Sequence, residues 1–344
     1  MRVERPNGQT LIFRPNGTGG WITDSDVNDQ LQEGTQWRYT TADKEIEVYD
    51  VSGRLQSISD RNGLTQTLSY SDANTPKTIA PYPGLLIQVA DQFGRKIQLS
   101  YDVNVRITRL TYPDGLFSEY QYDAQGNLSQ VTYQDGSIRQ YHYEDTAFPH
   151  ALTGITSENG VRYASWTYDA AGRAASSEHA GSTEKVTLNY KQDGSTTVSE
   201  YQNDPKTPSI SRIYSFQTIL GVVKNTSISQ PNPNGSTSSY SSTYDRNGNV
   251  ASRTDFNGNL ACYAYDTTSR NLETVRIEGL PSGSSCPTDP STYTPAAGNS
   301  VRKISTQWHV SYRLPTQIDE AGRRTAFSYD VSGNLLQKTV TDTA

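Results

Sequence analysis

Aromatic and polar residues alternate with a period of two in short stretches along almost the whole chain. Tyr120 and Tyr122 flank a single polar residue, and Trp166 and Tyr168 repeat this spacing. Successive side chains of a β-strand point to opposite faces of the sheet, so each pair lies on one face. No stretch shows the 3.6-residue period of a helix. The pattern predicts an all-β chain whose aromatic pairs stack between hairpins as a tyrosine ladder.

Turn signals divide these strands at regular intervals. Asp114-Gly115 precedes Gly126 by 11 residues, and Asp135-Gly136 follows it by 10. Asp-Gly and Asn-Gly supply the positive φ angles that tight hairpin turns require. Turns at this spacing leave strands of about six to eight residues. We therefore predict consecutive antiparallel β-hairpins.

A Tyr-Asp dipeptide recurs along the chain and is often followed by Gly three residues after the Asp. Tyr101, Tyr122 and Tyr143 are 21 residues apart, so each repeat is interpreted as one hairpin. The favoured interpretation is structural: Asp accepts turn amides, Gly adopts positive φ and Tyr packs on its neighbour. Ligand binding by exposed rows of Tyr and Asp is the alternative. The motif residues are Tyr49, Asp50, Gly53, Tyr101, Asp102, Tyr122, Asp123, Gly126, Tyr168, Asp169, Gly172, Tyr244, Asp245, Gly248, Tyr265, Asp266, Tyr329, Asp330 and Gly333.

Three stretches interrupt the regular spacing of the turns and are predicted to be irregular loops. The first, 74–84, holds three prolines. The second, 204–234, is rich in Ser, Pro and Asn, with a strand expected over 219–223. The third, 279–298, is rich in Pro, Gly and Ser. Because none is long enough to be a domain, residues 1–344 are predicted to form a single repeat segment.

Composition favours a folded chain over a disordered one. Leu, Ile, Val and Phe make up only about 18% of residues, a level typical of disorder when net charge is high. The net charge is only -6, however, and the chain has 23 Tyr and 4 Trp. Tyrosine replaces aliphatic residues as the material for burial, since its ring covers apolar area while its hydroxyl stays hydrated.

Charge and hydropathy exclude two classes of partner. The basic residues are scattered along a mildly acidic chain, whereas nucleic-acid binding needs clustered Lys and Arg. No apolar run approaches the roughly 20 residues that span a bilayer. The N-terminus also lacks the apolar core of a signal peptide. Export would therefore depend on other parts of a longer chain or on a dedicated secretion machine.

The two cysteines, Cys262 and Cys286, are 24 residues apart. Two free buried thiols are one interpretation. A disulfide that pins the stretch 279–298 is the other, and it requires an oxidising compartment. Two cysteines with few histidines nearby do not make a zinc site.

No motif for catalysis or cofactor binding stands out. The chain lacks G-x-S-x-G and H-E-x-x-H. The segment 24–29 opens like a calcium loop, but Asp29 stands where glycine is expected and Thr35 where glutamate is expected. A solvated acidic turn is therefore favoured over a calcium site. The sequence predicts no catalytic residue, no metal and no cofactor, and a protein that is not an enzyme.

The motif Tyr-Asp-x-x-Gly-Arg-Leu, complete at 49–55, resembles the RHS/YD-repeat family. The stretches 122–128 and 329–335 match it with Asn in place of Arg. The run that starts at Trp308-His309 and continues through Arg313-Leu314-Pro315 resembles the bacterial polymorphic-toxin branch. In this family a repeat strand spirals into a hollow shell, and related repeats build the shells of insecticidal toxin complexes and teneurins.

The resemblance implies a non-catalytic shell segment of a secreted bacterial toxin. Its partners would be an enclosed C-terminal toxin domain of the same polypeptide and secretion-machine proteins, and its setting interbacterial competition. The family's core-closing segment is missing, and Asp204-Pro205 and Asp289-Pro290 lack the following glycine, so no cleavage role carries over to them. The toxin domain is missing as well, since the sequence stops at Ala344, just after a repeat. The chain is therefore expected to be a fragment or a truncated gene product. A secreted or cell-surface adhesin that binds surface glycans is the alternative function.

Overall fold

A computed structural model describes residues 1–24, 27–202, 204–232, 234–268, 270–296, 298 and 300–343. The chain forms two compact units, Met1–Ser165 and Trp166–Ala344. Strands make up 51% of the residues and helices 2%, which confirms the all-β prediction. Among the described residues, no helix has the length and apolar character needed to cross a membrane.

The first unit begins with two short strand pairs and continues as a series of hairpins. From β5 onward, each strand pairs antiparallel with the next one in sequence. Its strands are β1 (Arg2–Glu4), β2 (Thr10–Ile12), β3 (Arg14–Pro15), β4 (Trp21–Ile22), β5 (Gln30–Glu33), β6 (Trp37–Thr40), β7 (Ile46–Tyr49), β8 (Leu55–Ser59), β9 (Thr65–Tyr70), β10 (Leu86–Asp91), β11 (Lys96–Tyr101), β12 (Ile107–Thr111), β13 (Phe117–Tyr122), β14 (Leu128–Thr132), β15 (Ile138–His142), β16 (Gly154–Thr156) and β17 (Arg162–Tyr168), in which the unit boundary falls.

The second unit repeats this arrangement. From β18 to β30 each strand pairs antiparallel with its successor, so the predicted consecutive hairpins are confirmed. Its strands are β18 (Ala174–His179), β19 (Thr183–Tyr190), β20 (Thr196–Tyr201), β21 (Ile210–Ile219), β22 (Val222–Pro231), β23 (Thr237–Tyr244), β24 (Val250–Thr254), β25 (Leu260–Tyr265), β26 (Glu273–Leu280), β27 (Arg302–Trp308), β28 (Pro315–Glu320), β29 (Arg323–Tyr329) and β30 (Leu335–Asp342), with one-turn 3₁₀ helices at Ala180–Ser182 and Pro290–Thr292.

The predicted loop over 204–234 is wrong for most of its length. Residues 210–219 and 222–231 form two paired strands of ten residues each. The strand expected over 219–223 is instead interrupted by the turn between them, where Leu220 and Gly221 both have positive φ. Ser and Thr alternate here with Ile, Tyr and Phe, so a composition that resembles a loop still forms a two-faced strand. Pro233 lies outside the described residues.

The other two predicted loops fall between strands. Residues 71–85 connect β9 to β10 without a strand, and Ala80 within them is 1% exposed. Residues 281–301 connect β26 to β27 and contain the 3₁₀ helix Pro290–Thr292. The organisation of 1–344 as a single repeat segment stays a prediction.

The apolar core is thin and concentrated in two clusters. In the first unit, Phe13 from the N-terminal segment packs on Tyr39 with ring centroids 6.2 Å apart. Arg5, from the same N-terminal segment, forms a largely buried ion pair with Glu47 at 2.7 Å. In the second unit, the cluster is built by Cys262, Val275, Ile277, Leu280 and Val301.

Candidate functional site

The Tyr-Asp motif builds a hairpin turn that binds its own main chain. Oδ1 of Asp102 accepts the amides of Asn104 and Arg106, both at 2.9 Å. Oδ2 accepts Nε of Arg106 at 2.7 Å. Burial alone would raise the pKa of Asp102, but the hydrogen bonds from the main chain and guanidinium of Arg106 hold this pKa below its usual value. The carboxylate is therefore occupied within its own turn.

The same turn recurs with either Arg or Asn four residues after the Asp. In the Asn version, Asp123 accepts the amide of Asn127 at 2.8 Å and its Nδ2 at 2.8 Å. Gly126 adopts φ +89°, which gives a type I turn with a glycine bulge. Turns with both kinds of contact are found at Asp50, Asp91, Asp102, Asp123, Asp169, Asp245, Asp255 and Asp330.

Two of these turns, at Asp91 and Asp255, were missed by the sequence motif because no Tyr precedes the Asp. The signal that finds them is Asp-x-x-Gly-Arg/Asn, at 91–95 and 255–259. Conversely, Asp266 belongs to the predicted motif but begins a longer turn, in which it accepts the amide of Leu272 at 3.0 Å. The aspartate and its fourth neighbour therefore define the turn better than the tyrosine does.

The motif tyrosine joins one repeat to the next. The hydroxyl of Tyr122 donates to the carbonyl of Ile107, at the start of the strand that follows the preceding Tyr-Asp turn, at 2.8 Å. The guanidinium of that preceding turn, from Arg106, lies over the Tyr122 ring at 4.5 Å from its centroid. We use the name rung for this combination: a tyrosine hydroxyl that donates to a carbonyl of the preceding repeat, with a cationic side chain over the tyrosine ring. At this repeat, the expected ring-on-ring ladder is replaced by a rung.

Rungs are a shared feature of both units. Tyr70 donates to the carbonyl of Leu55 beneath Arg54, and Tyr190 donates to that of Ala174 beneath Arg173. Burial raises the pKa of Tyr265 to about 12, so its hydroxyl stays protonated and able to donate. Further hydroxyl-to-carbonyl contacts link Tyr101 to Leu86, Tyr244 to Asn225, Tyr265 to Val250 and Tyr329 to Pro315.

Motif tyrosines do not all act in this way. Tyr49 donates to the carboxylate of Glu47 instead of a carbonyl. Burial, followed by this hydrogen bond, raises the pKa of Tyr49. Tyr168 lies in β17, two residues from Trp166. The interpretation of the motif as a purely structural element stays a prediction, although each turn and rung described above uses the polar atoms internally.

The two faces of the sheet differ in chemistry. In the first unit, the register places Gln121 opposite Gln130, and Gln130 opposite Gln140. These residues alternate with Tyr120, Tyr122 and Tyr141, which lie on the other face. We call the two surfaces the polar face and the tyrosine face. The second unit has a polar row of its own, made of hydroxyl side chains. Its register places Ser176 opposite Thr187, Thr187 opposite Ser199, and Ser199 opposite Ser211.

Groups suited to metal binding or nucleophilic catalysis are sparse. Within the described ranges there is no cluster of three or more His, Cys, Asp or Glu side chains able to hold a metal. Of the segment 24–29, Ser25 and Asp26 lie outside those ranges. His142 bonds through Nε2 to the Thr156 hydroxyl at 2.8 Å, on a strand surface. Burial, then the nearby Arg162, lowers the pKa of His142.

The structure joins the two cysteines in a disulfide between Cys262 and Cys286, with Cα atoms 5.7 Å apart. Cys262 is 1% exposed on β25, whereas Cys286 is exposed in the segment after β26. Of the two alternatives that the sequence left open, this arrangement corresponds to the pinned segment.

The repeat places this chain in a known protein family. The family model for the teneurin YD-shell matches residues 49–292, which is most of the chain. The chain belongs to the teneurin YD-shell family. Membership confirms the predicted RHS/YD-repeat resemblance, and the match covers both units of the YD-shell chain. No curated protein sequence matches it.

Several solved structures are similar to this YD-shell chain at low sequence identity. A TcdB2-TccC3-Cdc42 structure has a TM-score of 0.45 at 15% identity, covering 98% of this chain and 19% of that one. The Photorhabdus luminescens Tc holotoxin pore with a TccC3 mutation has a TM-score of 0.39 at 15% identity, covering 100% and 20%. The YD-shell chain thus spans about a fifth of the length of these chains.

Proposed function

We propose that this chain is a non-catalytic wall segment of a shell that encloses a toxin polypeptide and is secreted for competition between bacteria. The observation that carries the proposal is the rung. Within each unit, rungs tie successive repeats together, through Tyr70 and Tyr122 in the first unit and Tyr190 in the second. Membership of the YD-shell family supports the same role.

The chemistry of the motif supports a scaffold in preference to catalysis. The carboxylate of each Arg- or Asn-type turn is bonded to its own amides, as in Asp102 and Asp123. A general acid or a nucleophile needs a free reactive atom within reach of a substrate. The wall would therefore act through its extended surface, and the enclosed polypeptide would carry the toxic activity.

A glycan-binding adhesin is the competing function, and ring exposure separates the two. Sugar stacking needs an open aromatic face, whereas the rung tyrosines are half-buried with bonded hydroxyls. Arg106 also covers one face of Tyr122. The exposed rings, such as Phe93 at 68% and Tyr82 at 57%, do not belong to rungs. Saturable glycan binding that is lost on replacing these exposed rings would favour the adhesin.

Protease protection tests the enclosure directly. The chain is purified from its natural host together with any polypeptide linked to or associated with it, and is treated with protease. We expect that polypeptide to resist digestion until the wall is opened by mild denaturant. Replacing two rung tyrosines together, with Tyr70→Phe and Tyr122→Phe, should lower the denaturant concentration needed. Tyr82→Phe, which alters an exposed ring in the same unit, is the matched control.

The outcome against the proposal is equally specific. If the associated polypeptide is digested as fast in the native assembly as after the wall is opened, the segment does not enclose it. If no polypeptide accompanies the chain and glycan binding is found, the adhesin replaces the shell as the function.

A further inference from the structure

The segment between β26 and β27 lies over the apolar cluster of the second unit. The register places Cys262 opposite Ile277 and Ala264 opposite Val275, so these side chains share one face. Ile277 is completely buried. The 3₁₀ helix Pro290–Thr292 lies against β25 and β26, and the ring of Tyr293 packs on the cluster. An irregular segment therefore provides part of the cover of this core.

The surface around this cluster is polar. The register places Ser252 beside Cys262 and Thr243 beside Ser252, on the same face. The hydroxyls of Thr243 and Ser252 bond to each other at 2.6 Å. The covered cluster is therefore an apolar patch at the border of a hydroxyl-bearing surface, and removal of its cover would change the character of this face.

Few contacts hold the segment in place. Its described residues 281–296 contain no strand, so it gains no hydrogen bonds from a sheet ladder. Nζ of Lys303 donates to the carbonyls of Ser291 and Tyr293, the latter at 2.9 Å. The disulfide to Cys262 is the covalent tether. Near the start of the segment, Gly258 leaves room for Ser282, whose Oγ lies 2.6 Å from the position that a Cβ would take.

We propose that the disulfide is a redox-controlled clasp that keeps this segment over the apolar patch and releases it on reduction. The two sulfurs differ in access, since Cys286 is exposed and Cys262 is 1% exposed. A thiolate from a small thiol reductant attacks Sγ of Cys286 and breaks the disulfide bond. Cys262 leaves as a thiolate and takes up a proton.

A second thiol completes the reaction. It attacks the reductant's sulfur in the mixed disulfide, and Cys286 leaves as a thiolate and takes up a proton. Two reductant thiols are thereby oxidised to one disulfide, and the protein gains two thiols. Residues 281–296 then keep non-covalent contacts alone, among them the Lys303 hydrogen bonds and the packing of Tyr293. Leu260, Ala264, Val275 and Ile277 become more exposed. Passage from an oxidising to a reducing compartment would be the trigger. This inference does not depend on the enclosure of a toxin.

Cleavage after Tyr293 by chymotrypsin measures the release. The purified 344-residue chain is compared with and without a thiol reductant, together with Cys286→Ser, which cannot form the clasp, and Ser285→Ala as the neighbouring control. We expect reduction or Cys286→Ser to speed cleavage after Tyr293 by about tenfold or more, because local opening now governs access. The control should cleave like the oxidised wild type. Fluorescence of a dye that binds apolar surface should rise in parallel.

Three results would overturn the clasp. Intact mass and thiol titration could show two free thiols in protein purified without reductant. Reduction could leave both the cleavage rate and the dye signal unchanged. Finally, reduction could abolish the strand signal in circular dichroism, which would mean that the disulfide supports the whole unit instead of one segment. The account requires this signal to persist.

Discussion

The hydroxyl of Tyr122 donates to the carbonyl of Ile107 across a 15-residue separation, at 2.8 Å. The donor ends one hairpin and the acceptor begins the strand after the preceding turn. Because β12 and β13 are paired strands, the contact adds a side-chain hydrogen bond between two repeats to the sheet ladder already present there. The Arg106 guanidinium over the ring adds a second link between Tyr122 and the preceding turn.

Removing this hydroxyl should destabilise the first unit modestly. Tyr122→Phe keeps the ring beneath Arg106 but leaves the Ile107 carbonyl without this donor. We expect the free energy of unfolding to fall by roughly 1 kcal/mol. Urea unfolding checks this, with Tyr82→Phe as an exposed control in the same unit. Equal effects of the two substitutions would show that the hydroxyl contact adds no stability.

One turn departs from the motif in a way that predicts a stabilising substitution. Where other turns have glycine, Val105 adopts φ +65°, a conformation that a β-branched residue resists. Val105→Gly should raise the free energy of unfolding by about 1 kcal/mol, since the strain is removed. The mirror substitution Gly126→Val, at φ +89° in the next repeat, should lower it. Denaturant unfolding of both variants checks the pair, and a destabilised Val105→Gly protein would contradict the strain.

The ion pair between Arg5 and Glu47 predicts that the stability of the fold depends on pH. The side chains of Arg5 and Glu47 are 15% and 8% exposed. Burial alone would raise the pKa of Glu47, but hydrogen bonds from Arg5 and Tyr49 bring it below its usual value of 4.5. A pKa that is lower in the folded state means that ionised Glu47 stabilises the fold above the ordinary glutamate pKa. This contribution is lost as pH falls through the folded pKa.

Glu47→Gln should therefore cost about 3 kcal/mol at neutral pH, with the difference from wild type shrinking on acidification. Urea unfolding at a series of pH values from 7 down to about 3 measures this, since acid titration of paired carboxylates falls in that range. Glu45→Gln, just before the same strand, is the control. A difference that stays constant with pH would show that the Glu47 charge is not coupled to folding.

The repeat could be predicted from sequence because its signals are local. Asp, Gly and the strand alternation act within one turn or one strand, so Tyr122, Asp123 and Gly126 indicate a hairpin by themselves. The rung could not be predicted, because it depends on which carbonyl the register brings beneath the hydroxyl. The two faces likewise follow from pairing, as in the row from Gln121 to Gln140.

The prediction of a loop over 204–234 was wrong because it relied on amino-acid composition. Ser, Pro and Asn over 204–234 suggested a loop, yet residues 213–219 pair with residues 222–229 in two antiparallel strands. Ile, Val, Thr, Tyr and Phe in this stretch favour strands, and their pairing overrides a composition that resembles a loop. The pairing of Cys262 with Cys286 also needed the fold, since it depends on where the irregular segment after β26 lies relative to β25.

Site-specific photo-crosslinking from the two faces of one strand tests the central claim most directly. A photoreactive residue is placed at Gln140 on the polar face or at Tyr141 on the tyrosine face, in the chain expressed in its natural host. A wall has one side toward its contents, so we predict that only one position crosslinks to an enclosed polypeptide. Crosslinks to that polypeptide from both positions, or from neither, would contradict the account.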